Sequence, residues 1–111
     1  MSLPRLGLAR VRGDSMKPTL RDGQLIAVRY AARARPGALV IVALPPDANG
    51  NARPLAVKRL MHYEADGRAW IESDNQAASG QVDSWTIGPV PVTSIMAVAL
   101  TPPRRRWGTV R

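Results

Sequence analysis

No apolar run in this chain goes far before a glycine, proline or aspartate interrupts it. That punctuation excludes long helices and predicts an all-β domain. Six runs read as strands: Leu6 to Arg12, Gln24 to Tyr30, Ala38 to Leu44, Leu55 to Tyr63, Arg68 to Glu72 and Ser94 to Leu100. Ala38 to Leu44 is apolar without alternation, the pattern of a strand buried on both faces. Asp66-Gly67 turns the fourth run back on the fifth as a hairpin. Between the first two runs, Ser15 to Leu20 reads as a turn or short helix, because Pro18 does not fit a strand interior. Pro45 to Pro54 is a Pro/Asn/Gly loop, and Ser73 to Gly88 is a polar loop. No internal repeat is present.

At 111 residues the chain is long enough for one domain, spanning 1–111, with a core over about 8–100. The hydrophobic fraction of 45% excludes wholesale disorder. No cysteine is present, so disulfides and thiolate metal sites are excluded. The single histidine, His62, makes zinc an unsuitable cofactor, and no metal or other cofactor is expected. The absence of disulfides fits a cytoplasmic setting. The longest apolar run, Ala38 to Pro46, falls well short of a membrane span, and Met1 to Arg5 shows no signal-peptide core, so no membrane anchor is expected. The net charge of +8 allows an anionic partner. Arginine far outnumbers lysine and alanine is abundant, which points to genome composition instead. The tail, Thr101 to Arg111, is Pro- and Arg-rich and reads as frayed. Its Arg104-Arg105-Arg106-Trp107 could contact phosphates with one stacking ring. A solvated terminus is the stronger reading, and nucleic acid is not an expected partner.

Two polar residues stand out against this scaffold. Ser15 follows Gly13-Asp14 in a tight turn between apolar stretches, where a glycine lets the backbone project the hydroxyl. A serine hydroxyl is a poor nucleophile without an adjacent base. Lys58 lies inside Leu55-Ala56-Val57-Lys58-Arg59. In a strand it shares a face with Ala56 and Leu60, which disfavours the ammonium form and suits a lysine base, while Arg59 faces the other way, toward solvent. Read singly, each has a plainer alternative: Ser15 as a helix cap, Lys58 as a guard against strand aggregation.

The two belong to three ordered boxes. The first is Gly13-Asp14-Ser15-Met16-Lys17-Pro18-Thr19-Leu20, running on into Asp22-Gly23-Gln24-Leu25-Ile26. The second is Val57-Lys58-Arg59. The third is Ser73-Asp74-Asn75-Gln76-Ala77-Ala78-Ser79, continuing to Asp83-Ser84 and Gly88-Pro89-Val90. Together they resemble the signal peptidase I family of serine–lysine peptidases, whose wider clan includes the self-cleaving LexA and UmuD proteins. The short chain and the Gly-Pro-Val-Pro ending look most like the nickel superoxide dismutase maturation proteases. The resemblance implies a mainly β, barrel-type catalytic domain in which Ser15 is the nucleophile and Lys58 the general base. It implies that Ser79 orients the Lys58 amine and that the Ser15 backbone amide serves the oxyanion. Val11, Gly13, Met16, Leu20 and Val57 match the positions that line the family's shallow substrate pocket, although the apolar ones would serve equally as core. A protein or peptide substrate would bind as an extended strand.

The third box departs from the family in three places. Ser73 stands where glycine is usual, Gly80-Gln81-Val82 reads as a two-residue insertion, and Trp85 replaces the arginine that would pair with Asp83. The function implied is a soluble endopeptidase that removes an N-terminal segment from a precursor, a nickel superoxide dismutase precursor being the narrowest suggestion. Two alternatives stay open: a LexA-like self-cleaving domain, and a non-catalytic relative that binds peptide or nucleic acid. His62 as a rival base belongs to no box, and the Arg12-Gly13-Asp14 tripeptide is chance.

Overall fold

The computed structural model describes residues 5–100. The expected frayed tail lies outside them. All six expected strands form, each trimmed at one or both ends: β1 (Leu6–Arg10), β2 (Leu25–Tyr30), β3 (Leu39–Val42), β4 (Ala56–Tyr63), β5 (Ala69–Glu72) and β6 (Ile95–Ala99). They make one six-stranded antiparallel sheet in the order β1-β2-β6-β3-β4-β5. The fold is therefore mainly β, as the punctuation of the sequence predicts.

β3 sits inside the sheet with all four residues buried. Its alternation divides the core in two. Leu39 and Ile41 join Val11, Met16, Leu20, Ile26, Val28 and Ala97 on one side. Val40 and Val42 join Ala34, Leu60, Ala69, Ile71 and Val90 on the other. Each fully buried aliphatic side chain contributes about 1.5–3 kcal/mol relative to exposure. The Ser15 turn is thus anchored from within, because Met16 and Leu20 are 1% and 2% exposed.

The two ends of the sheet differ. The β5 edge is covered by the segment that follows it. Ile71 N donates to Ser84 Oγ, Ser73 N to Asp83 Oδ2, and Ala69 exchanges a pair of bonds with Val90. At the other end, Tyr30 N donates to Arg5 O and Val11 N to Gln24 O, so odd-numbered residues of β1 face β2. The backbone groups of Leu6, Leu8 and Arg10 therefore turn outward, along an edge that has no partner strand among the described residues.

The loop from Ser73 to Gly88 holds an element that the sequence reading missed, a one-turn helix α1 (Ser84–Ile87) capped by Asp83, whose carboxylate accepts from Trp85 N. Its four residues carry little helical preference, and the cap holds the turn. A 3-10 turn, Val92–Ser94, leads into β6. In the β4–β5 hairpin the register shifts by one residue between Leu60 and His62, leaving Met61 as a bulge.

Candidate active site

Ser15 lies half-buried in the turn that follows β1. Gly13 has φ +82°, and a Cβ there would meet nothing within 4 Å, so the backbone angle and not space favours glycine. Its N–H donates to the Asp22 carboxylate at 2.7 Å, which fixes the entry to the turn. The Ser15 carbonyl accepts from Asn75 N at 2.8 Å, and Asn75 Nδ2 donates to the Asp14 carbonyl at 3.0 Å. Next in line, Asp74 N donates to Met16 Sδ, and the Asp74 carboxylate accepts from Thr19 Oγ1. The third box thus holds the first through both its backbone and its side chains. The N–H of Ser15 itself meets no acceptor among the described residues, leaving it available to an oxyanion.

Lys58 occupies the middle of β4 and is 3% exposed. Ala56 and Leu60 share its face, as strand alternation requires. Burial pushes the amine below the ordinary lysine range, and the nearby Asp83 charge acts in the opposite sense, raising it. Nζ donates to Ser73 Oγ at 2.7 Å. Ser73 in turn donates to Gln81 Oε1 at 2.7 Å. The lysine and the Ser15 turn are therefore bound to positions 73 and 75 of one short segment. No hydrogen bond joins Ser15 Oγ to Lys58 Nζ among the described residues; the roughly 3 Å contact of a working dyad is not made in this structure.

The other expected site residues lie in different surroundings. Ser79 is exposed, and the contact with the Lys58 amine belongs to Ser73, the residue that stands in place of the usual glycine. The reason is register: Arg59 pairs with Glu72, which sets Ser73 across from Lys58. Val11, Met16 and Leu20 are 3%, 1% and 2% exposed and belong to the core, so they present almost no surface to a substrate. Val57 is only partly buried against that cluster, and Gly13 is exposed. Arg59 is not simply solvated. It forms a two-pronged bond with Asp74 at 2.9 and 2.7 Å and donates to the Gly37 carbonyl. His62 lies at the far end of β4, paired with Glu64 and stacked on Trp70.

Asp83 resolves the question raised by Trp85. It is fully buried, and in place of an arginine it accepts from Ser73 N, Gln76 Nε2 and Trp85 N at 2.9, 2.8 and 3.0 Å. Three neutral donors satisfy the carboxylate. Trp85 meets Trp70 edge-on, with ring centroids 5.1 Å apart, and is 68% exposed. Sequence reasoning missed Ser73 and Gln81. The pairing that brings Ser73 to Lys58 depends on the shift of register between Leu60 and His62, and the signal available for Gln81 was the insertion itself.

The buried Lys58 amine and the glycine-led turn of Ser15 are thus both tied to the segment 73–75. Residues 3–84 match the family described as Peptidase S24-like, and the chain belongs to that family. The matched span takes in Ser15, Lys58, Ser73, Gln81 and Asp83. No curated protein and no solved structure gave a significant match. Among the described residues, no helix is long and apolar enough to cross a membrane, and no group of three or more His, Cys, Asp or Glu is arranged to hold a metal.

Proposed function

We propose that this chain is a serine–lysine endopeptidase that cuts a peptide laid as an added strand along β1. The observation that carries the reading is the buried Lys58 amine, fixed by Ser73 and bound to the same three-residue segment as the Ser15 turn. β1 supports the substrate mode: its open edge runs straight into the residues that precede Ser15, so an added strand would be delivered to the hydroxyl.

In the reaction, Ser15 Oγ attacks the scissile carbonyl as its proton passes to neutral Lys58. The oxyanion forms facing the free Ser15 N–H. The lysine then gives that proton to the leaving amine, and the acyl-enzyme remains on Ser15. Water attacks the ester, losing its proton to Lys58; as the acyl–oxygen bond breaks, Lys58 returns that proton to Ser15 Oγ and the acid product leaves. Attack requires Ser15 Oγ and Lys58 Nζ to close on each other, a movement of the kind that substrate binding brings about in sites that are loose when empty.

The substrate class is a precursor protein with a removable N-terminal segment, processed in the cytoplasm. A nickel superoxide dismutase precursor is the narrowest version and rests on the sequence resemblance. The open Ser15–Lys58 pair is the one observation that favours the non-catalytic alternative. Intact-mass analysis of precursor proteins incubated with wild type, Ser15→Ala and Lys58→Ala decides between them. Trimming at a single bond by wild type alone is the expected result. Equal trimming by all three, or none by any, removes the peptidase reading.

A further inference from the structure

Four hydrogen bonds run in series from Lys58 to Asp83, and their directions are fixed from the far end. A carboxylate can only accept, so Asp83 Oδ2 must accept a hydrogen bond from its neighbour Gln76 Nε2, at 2.8 Å. That turns the Gln76 carbonyl oxygen outward, where it accepts from Gln81 Nε2 in the longest link, 3.5 Å. Gln81 Oε1 is then aimed at Ser73 and accepts its hydroxyl proton at 2.7 Å. Ser73 has only lone pairs left for Lys58, and Nζ must donate, at 2.7 Å. The Ser73 backbone is pinned to the same residues, since its N–H donates to Asp83 and its C=O accepts from Gln76.

We propose that Gln81 is a positioning residue for Lys58, acting through Ser73. By occupying the Ser73 hydroxyl proton it forces one Nζ–H onto Ser73, and so keeps the lone pair of the neutral amine free for Ser15. A hydroxyl without this restraint can reverse, donate to that lone pair and compete with the nucleophile. Gln81 lies in the Gly80-Gln81-Val82 stretch, so the segment that departs from the family pattern supplies the restraint on Ser73. The inference rests on the peptidase reading for its consequence, though not for its geometry.

The chain has two lysines, and Lys17 is half-exposed beside Asp14, so the Lys58 signal is readily told apart in protein carrying labelled lysine. The side-chain titration of Lys58 is followed by NMR in wild type, Gln81→Met, Gln81→Glu, Ser73→Ala and the Ser73→Ala/Gln81→Met double variant. Gln81→Met is expected to lower the Lys58 pKa, because the released hydroxyl stabilises the neutral amine. Gln81→Glu keeps the acceptor and adds negative charge, and is expected to raise it. In the Ser73→Ala background Gln81→Met should change nothing. A Gln81→Met titration identical to wild type, or shifted equally with and without Ser73, overturns the proposal.

Activity supplies the second arm. kcat/KM for a cleaved precursor should fall about tenfold in Gln81→Met, a scale typical of partners that orient a functional group. The double variant should be no slower than Ser73→Ala. If wild type cleaves nothing while the titrations behave as expected, the peptidase reading fails and the relay stands. If cleavage is robust but the Gln81→Met titration is unchanged, the relay fails alone.

Discussion

Replacing Lys58 with methionine tests the site without a substrate. The amine sits 3% exposed between Ala56 and Leu60. Burial lowers its pKa, and the Asp83 charge only partly opposes this. In the unfolded chain the same amine titrates in the ordinary lysine range. Between the two values the unfolded chain holds one proton that the folded chain lacks. Stability therefore rises with pH across that window, by at most about 1.4 kcal/mol per unit. Below the folded pKa both states carry the proton and the slope vanishes; above about 10.4 neither does, and the full stability is present. Methionine has similar length and no proton to exchange, so its curve lacks this slope. The Lys58→Met variant should be the more stable protein at neutral pH, with wild type closing the gap as pH rises. Urea unfolding at stepped pH, read by tryptophan fluorescence, measures the difference between the two proteins. Parallel curves, or a gap that widens with pH, would refute the claim that folding disfavours the ammonium form.

Two further substitutions probe the frame around the site. Asp74→Asn weakens the two-pronged bond to Arg59, where the side chains are 17% and 16% exposed, and disturbs the bond from Thr19. It should cost about 1–3 kcal/mol in urea unfolding, and a loss under a few tenths would show that the first and third boxes are held by the backbone contacts alone. Ala31 has φ +55°, the left-handed region. Ala31→Gly should stabilise by up to about 1 kcal/mol, since relief of strain exceeds the added freedom of the unfolded chain, and Ala31→Val should destabilise. Equal losses in both thermal melts would mean that contacts of the Ala31 methyl, not its backbone angle, decide the effect.

The strands were legible because burial writes itself into the sequence as alternation and breakers. Ala38 to Leu44 had to be a doubly buried strand, and β3 is one. Lys58 was legible for the same reason, since period two sets it beside Ala56 and Leu60. The apolar residues near Ser15 were not separable into pocket and core. Val11, Met16 and Leu20 are the same residue types in either role, and only packing shows that they are buried. α1 was hidden because its stability comes from one cap and not from the propensity of Ser-Trp-Thr-Ile.

Ser73 was hidden for a different reason. The Asp66-Gly67 turn joins Glu64 to Arg68, and Tyr63 pairs with Ala69. Counted straight down the hairpin, that register would set Asp74 across from Lys58. A carboxylate there would hold the amine as an ammonium ion, the form that cannot act as a base. The bulge at Met61 adds one residue to β4, and below it Leu60 pairs with Ile71 and Arg59 with Glu72. Ser73 then faces Lys58, and Asp74 passes to the other side, where it takes Arg59. One unpaired residue, three positions from the lysine, thus exchanges a carboxylate partner for a hydroxyl. Met61 carries no local signal of this, because a bulge is chosen by the fit of two strands and not by the residue that bulges.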